Sequence, residues 1–334
     1  LEIIMKSMKI IYFFTYMVIL IFYIYQTSKI ILADFHIRLV RFYQMKNEIP
    51  CKIVRNLFNM DASNCTEKCL AIDYFGRFGN QISQFYHAIQ VAKASYIKKV
   101  MIFPGFLYQN NSFMYDDILF QIFSGKDDCF HHFFFFNSRK INRLKEIDLN
   151  SESWRQFQTK FLNKYKAKVP ENALVVHIRS GDIFDNNTEH HKYGQPPCNY
   201  YLDAISMRNW SKVIVIAEDR KNPCVGIVVN KTGNHQIRSF DKDFAILLNA
   251  QSIVTSVGTL GNAVTLISQK IQNVFWFNLQ KNCLKCAYIN IWNCVPSKKY
   301  VNEVLNYWTN SPYQREMMTK SSCVIWKNYS KTRD

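Results

Sequence analysis

The sequence predicts an α/β protein with its strands and helices in two blocks, and three observations lead there. A strand, helix, strand succession opens the body of the chain at about residue 69. The same alternation resumes from Pro170 and continues to about residue 277. Polar clusters then recur at one kind of place, the carboxyl ends of the predicted strands, where open α/β sheets bind ligands.

In the first block, "CLAIDYF" (69–75) reads as a strand and "GRFGN" (76–80) as a turn. "QISQFYHAIQVAKA" (81–94) reads as a helix, because Ile82, Phe85, Tyr86 and Ile89 fall at i, i+3, i+4 and i+7. Asn80 is placed to cap that helix. "KVMIFP" (99–104) completes a β-α-β unit and implies a parallel sheet. Between 105 and 165 the pattern is less regular. There "HHFFFF" (131–136) reads as a buried strand preceded by two surface histidines rather than as a metal site. In the second block, strands are expected at 173–178, 213–217, 252–256 and 273–277. Helices are expected between them at 199–207, 241–250 and 261–269, and the last stretch, from about Val295, reads as helical and peripheral.

The length of 334 residues suits about two domains, and 48% hydrophobic content suits a packed globular body. The excess of 42 Lys+Arg over 25 Asp+Glu, a formal charge of +17, favours anionic ligands or surfaces. The basic residues are scattered and form no long block, so no nucleic-acid partner is expected. Near the start, "IIYFFTYMVILIFYIY" (10–25) carries no charge and has tyrosines at both ends. Lys6 and Lys9 precede it, and Lys29, Arg38 and Arg41 follow. It reads as an uncleaved membrane anchor, with a cleaved signal as the alternative. Six N-x-[ST] sequons follow, at Asn64, Asn110, Asn186, Asn209, Asn230 and Asn328. The ten cysteines include Cys65, Cys69, Cys283, Cys286 and Cys294. "CLKC" (283–286) with Cys294 gives only three zinc ligands, so disulfides are preferred in a lumenal body.

Three clusters could carry chemistry: "HIRSGD" (177–182), "EDR" (218–220) and "SVGTLGN" (256–262). At a period of two, Val175, His177 and Arg179 share one strand face, so an imidazole and a guanidinium can address one ligand. Arginine offers forked hydrogen bonds suited to phosphate. "GTLGN" and "GRFGNQ" (76–81) each lead into a helix start, which favours an anion. Neither is a Walker loop or a G-x-G-x-x-G fingerprint. "DKD" (241–243) sits at a helix start, where capping or a ribose or base contact fits better than a metal-binding D-x-D.

The order of these motifs resembles the GDP-fucose-dependent fucosyltransferases, the superfamily of α1,2-, α1,6- and protein O-fucosyltransferases. "GRFGNQISQFYHAIQVAKA" is similar to their glycine-Asn-Gln segment, "HIRSGD" to H-x-R-x-x-D, and "DFAILLNAQSIVTSVGTLGN" to the D-x-x-I-L…S-x-S-[ST]-F segment. "SVGTLG" departs from that pattern, since Leu260 and Gly261 stand where a hydroxyl and an aromatic are frequent.

The resemblance implies a GT-B fold, two Rossmann-like domains facing a cleft, and an inverting transfer from GDP-fucose to a glycan or protein hydroxyl. It implies no metal and no cofactor beyond the donor. Arg179 would hold the donor β-phosphate, with His177 nearby. Asn80 would reach the donor from the first domain, with Gly79 and Gln81 beside it. Asp243 would bind guanine or ribose, and Ser256 and Thr259, with Gly258 between them, the phosphates. Asp182 would be the base or the ion-pair partner of Arg179, with Asp185 and Glu189 as rival bases.

The expected organisation is an anchor (1–28), a stem (29–68), an acceptor-side domain (69–168), a nucleotide-sugar-binding domain (169–295) and a helical tail (296–334). The expected location is the Golgi or ER membrane, single-pass type II with a lumenal body. A transferase using another nucleotide sugar, and a non-catalytic carbohydrate-binding surface protein, are the alternatives.

Overall fold

A computed structural model of the chain describes residues 69–72, 77–94, 97–102, 113–122, 129–132, 147–185, 193–233, 238–278 and 289–329. By its internal contacts the chain divides into two units, Leu1–Cys65 and Thr66–Asp334. The first unit, with the expected anchor and most of the stem, lies outside the described residues. Among the described residues no helix is long and apolar enough to cross a membrane.

The second unit is α/β and holds two sheets. In the first, β1 (Cys69–Ile72), α1 (Phe78–Ala94) and β2 (Lys99–Ile102) form the expected β-α-β unit, with β1 and β2 parallel. A hairpin of β3 (Phe113–Tyr115) and β4 (Ile118–Ile122) lies beyond β2, and β5 (Cys129–His132) pairs parallel with β1 on its other side, giving the order β3-β4-β2-β1-β5. Both histidines of "HHFFFF" are therefore within a strand, while Phe133 to Phe136 lie outside the described residues. Helix α2 (Glu152–Lys164) leads to the second sheet.

That sheet contains β6 (Ala173–His177), α3 (Cys198–Ser206), β7 (Lys212–Ile216), α4 (Pro223–Thr232), α5 (Phe240–Asn249), β8 (Ser252–Val254), α6 (Thr259–Ile267), β9 (Asn273–Phe277) and β10 (Asn290–Val295). All five residues of β6 are buried, which is why this strand reads as a continuous apolar run rather than an alternation. With a further strand, β11 (Ile325–Tyr329), the strand order is β11-β10-β9-β8-β6-β7. The chain leaves β6 toward β7 on one side and returns to β8 on the other, so the connections diverge at the carboxyl ends of β6 and β8. Such a switch point opens a crevice.

The 296–334 segment, expected as a helical tail, differs from that expectation. It supplies a short helix α7 (Lys298–Tyr300) running into a π-helical turn (Val301–Leu305), then α8 (Pro312–Lys320), and finally β11 (Ile325–Tyr329), antiparallel to β10. Nor is it peripheral, because Tyr300, Val304, Trp308 and Met318 are fully buried in the core on one face of the second sheet. The other core is continuous from the first sheet to the second, joining Leu70, Phe85 and Trp154 to Val175, Ile253 and Val274.

Disulfides join Cys198 to Cys224 and Cys294 to Cys323. Bonds of this kind persist in oxidising, secreted or lumenal surroundings. Cys294 is thereby removed from the three-cysteine set considered for zinc. Asn209, Asn230 and Asn328 of the sequons are exposed.

Candidate anion site

The polar residues gather where β6 and β8 end. Ile178 still donates its N–H to Ile216 O of the neighbouring strand at 2.8 Å, so the sheet carries the chain up to Arg179. There the backbone turns away. Arg179 N–H donates to Ser256 Oγ at 3.1 Å, and Arg179 O accepts from Asn222 Nδ2 at 2.8 Å. Gly181 follows at φ +77°, in the left-handed region that favours glycine, and begins a 3-10 turn (Gly181–Phe184).

Two residues beyond β7 hold this bend. Asp219 accepts from Ser180 Oγ, from Gly181 N–H at 3.3 Å and from Lys221 N–H at 3.0 Å. Partial burial pushes its carboxyl up, but the hydrogen bonds from Ser180, Lys221 and Gly181 outweigh that and leave it below the usual carboxylate range. Asn222 caps α4 by accepting from Cys224 N–H at 2.9 Å, while its own N–H donates to Ser180 Oγ at 3.0 Å.

The Arg179 side chain, only 13% exposed, is ion-paired with both Asp182 and Glu218. Arg77, one residue before α1, reaches the same two carboxylates, Glu218 at 2.7 Å and Asp182 at 3.1 Å. The result is a closed ring of two guanidinium groups and two carboxylates. Asp182 is committed on both oxygens, one to Arg179 and to Ile183 N–H at 3.0 Å, the other to Arg77. Between base and clamp, this geometry favours the clamp.

Two helix starts flank the ring. A Cβ on Gly79 would stand 2.7 Å from Leu260 N and Thr259 C, so α1 and α6 meet backbone to backbone. Beside that contact Thr259 Oγ1 donates to Asn80 Oδ1 at 2.6 Å. Asn80 is not the cap expected of it. Helix α1 begins at Phe78, whose ring is buried against Phe244 at 4.5 Å, and Asn80 lies in the first turn with its N–H on Arg77 O. Gly258 precedes α6 at φ +143°, with no side-chain cap on that helix. The amide groups of such first turns carry the positive end of the helix dipole.

His177 is buried, and burial, with the Arg179 charge second, lowers its pKa to about 4. Its Nδ1 lies 3.2 Å from Ser256 Oγ. That oxygen also accepts from Arg179 N–H, so one hydroxyl links the imidazole to the Arg179 backbone, and the lowered pKa keeps the ring neutral near pH 7. The unfolded chain takes up this proton below about pH 6.5, whereas the folded one resists until about pH 4. The His177 contribution is therefore whole above pH 6.5 and is lost as pH falls toward 4, by about 3 kcal/mol in all. In thermal unfolding across that window, His177→Gln should flatten the acid slope, and an unchanged slope would contradict a buried neutral imidazole.

Gln81 is buried within α1. Asp243 belongs to another neighbourhood. It pairs with Arg238 at 3.2 Å in the first turn of α5, near a cavity of about 710 Å³ lined by Lys164, Tyr165, Lys166, Arg238, Asp241 and Lys242. Asp185 pairs with Lys221 at 2.5 Å, and Glu189 lies outside the described residues. Among the described residues no group of three His, Cys, Asp or Glu could hold a metal ion.

No family model, curated protein or solved structure matches the chain. The site is therefore read from its own chemistry, which is that of two arginines, each paired with the same two carboxylates, beside two helix starts. Arg77, Glu218, Asp219 and Asn222 were not among the residues singled out for roles. "GRFGNQ" was read for its glycines and amides, and "EDR" only as a polar cluster.

Proposed function

We propose that the protein is a glycosyltransferase of GT-B architecture that transfers fucose from GDP-fucose to a glycan or protein hydroxyl, with inversion and without a metal. The observation that carries this reading is Arg179, delivered to the β6/β8 switch point beside the start of α6. In the transfer, the bond from the acceptor oxygen to the sugar C1 forms as the C1–O bond to the β-phosphate breaks. The electron pair stays on GDP, and a fixed guanidinium near a helix start stabilises it. Asp182 then orients Arg179 and Arg77, and the acceptor proton goes to another carboxylate, for which Asp185 and Glu189 are the candidates.

The departure at "SVGTLG" has a local cause. A Cβ on Gly261 would approach Thr255 Cγ2 to 2.9 Å, so this turn of α6 packs too closely on β8 for an aromatic. The two disulfides and exposed sequons fit a lumenal body, and the apolar segment at 10–25 fits the expected anchor.

The test is thermal stabilisation of the body by GDP, UDP and GDP-fucose in EDTA. GDP and GDP-fucose should raise the midpoint. Stabilisation by UDP alone, or only with manganese, would overturn the proposal.

A further inference from the structure

We infer that Glu218 is a displaceable stand-in for the donor's phosphate, an internal anion that occupies the two arginines until a diphosphate replaces it. This rests on the reading of Arg179 as a diphosphate ligand. The argument begins with an asymmetry inside the ring. Both carboxylates bind both arginines, so neither guanidinium faces the crevice without a competitor. Asp182 cannot easily leave, since it is short, lies three residues from Arg179 on the 3-10 turn, and also holds Ile183 N–H.

Glu218 is differently placed. Its side chain is longer, about half exposed, and its two ring contacts run through a single oxygen, Oε1. Oε2 lies against Gly181, in the space a Cβ there would fill. Glycine at 181 thus serves the backbone turn and leaves room for the glutamate. Rotating Glu218 outward exchanges one anion for another at Arg77 and Arg179, so diphosphate binding need not leave either arginine unpaired. Apparent diphosphate affinity is then the intrinsic affinity multiplied by the fraction of molecules in which Glu218 is displaced.

Glu218→Gln keeps the size and removes the charge. Inorganic pyrophosphate and GDP, titrated calorimetrically against the full-length wild-type protein, should bind, and the variant should bind both about tenfold more tightly, the order of one charge-assisted contact no longer in competition. Glu218→Asp, which withdraws the carboxylate by one methylene, should shift affinity in the same direction and serves if the glutamine variant fails to fold. Asp182→Asn should show no such gain.

Unchanged or weaker binding in the Glu218 variants, with GDP still bound by the wild type, would overturn the stand-in role and leave the donor-site reading in place. A gain in Asp182→Asn equal to that in Glu218→Gln would overturn the assignment to Glu218. Failure of every form to bind either ligand would overturn both readings.

Discussion

Replacing Arg179 with alanine should lower sugar transfer by about a hundredfold to a thousandfold, the scale seen when a fixed group is removed from developing charge. The side chain is held by Asp182, and before the donor binds also by Glu218, and its backbone is held by Ser256 and Asn222. Such placement costs little reorganisation when charge appears on the leaving phosphate. Arg179→Lys separates charge from geometry. An ammonium retains the charge but cannot present two parallel N–H groups, so it should recover only part of the loss. Folding should survive both changes, because Asp182 and Glu218 are more than 40% exposed and water can solvate them. Rates within tenfold of wild type for Arg179→Ala, measured with GDP-fucose and a panel of acceptor glycans that the wild type uses, would remove the arginine from the chemistry.

Trp154→Ala should destabilise the fold by about 3–5 kcal/mol, the range for emptying a buried indole site. The ring is fully buried in α2 among Phe157 at 5.1 Å, Tyr86 at 5.8 Å and Tyr115 at 6.2 Å, and its Nε1–H donates to Leu266 O at 3.3 Å. Leu266 belongs to α6, so this one side chain joins the packing of the first sheet to the helix that carries Thr259. Trp154→Phe keeps most of the volume and loses the hydrogen bond, for about 1 kcal/mol. Denaturant unfolding checks both, and a loss under about 1 kcal/mol for alanine would show that the site collapses without cost.

The central strands of the second sheet were legible because burial on both sides leaves a sequence mark. "ALVVH" and "NVFWF" have few polar interruptions, and Asn273 to Phe277 is β9 with the bounds expected. Helix α4 was hidden by its own composition. "PCVGIVVNKT" holds a proline, a glycine and several β-branched residues, and the evidence for a helix lies in the Asn222 cap and the proline in the first turn. Strand β11 pairs with a strand some 30 residues earlier, a contact without local periodicity.

At the site, strand ends bring His177, Arg179 and Ser256 together, and Thr259 meets Asn80 across the two helix starts. The roles of Arg77 and Glu218 could not be read in the same way. Each is an ordinary exposed charge until residues 141 apart in sequence meet.

Asn222 ties the Arg179 carbonyl to the start of α4, and two residues later Cys224 is cross-linked to Cys198 at the start of α3. The arginine therefore depends on the oxidation history of the molecule as well as on its packing. Protein made in a reducing cytoplasm could carry every residue of the site and still lack the covalent brace behind it. The oxidised form is accordingly the one on which ligand measurements should be made.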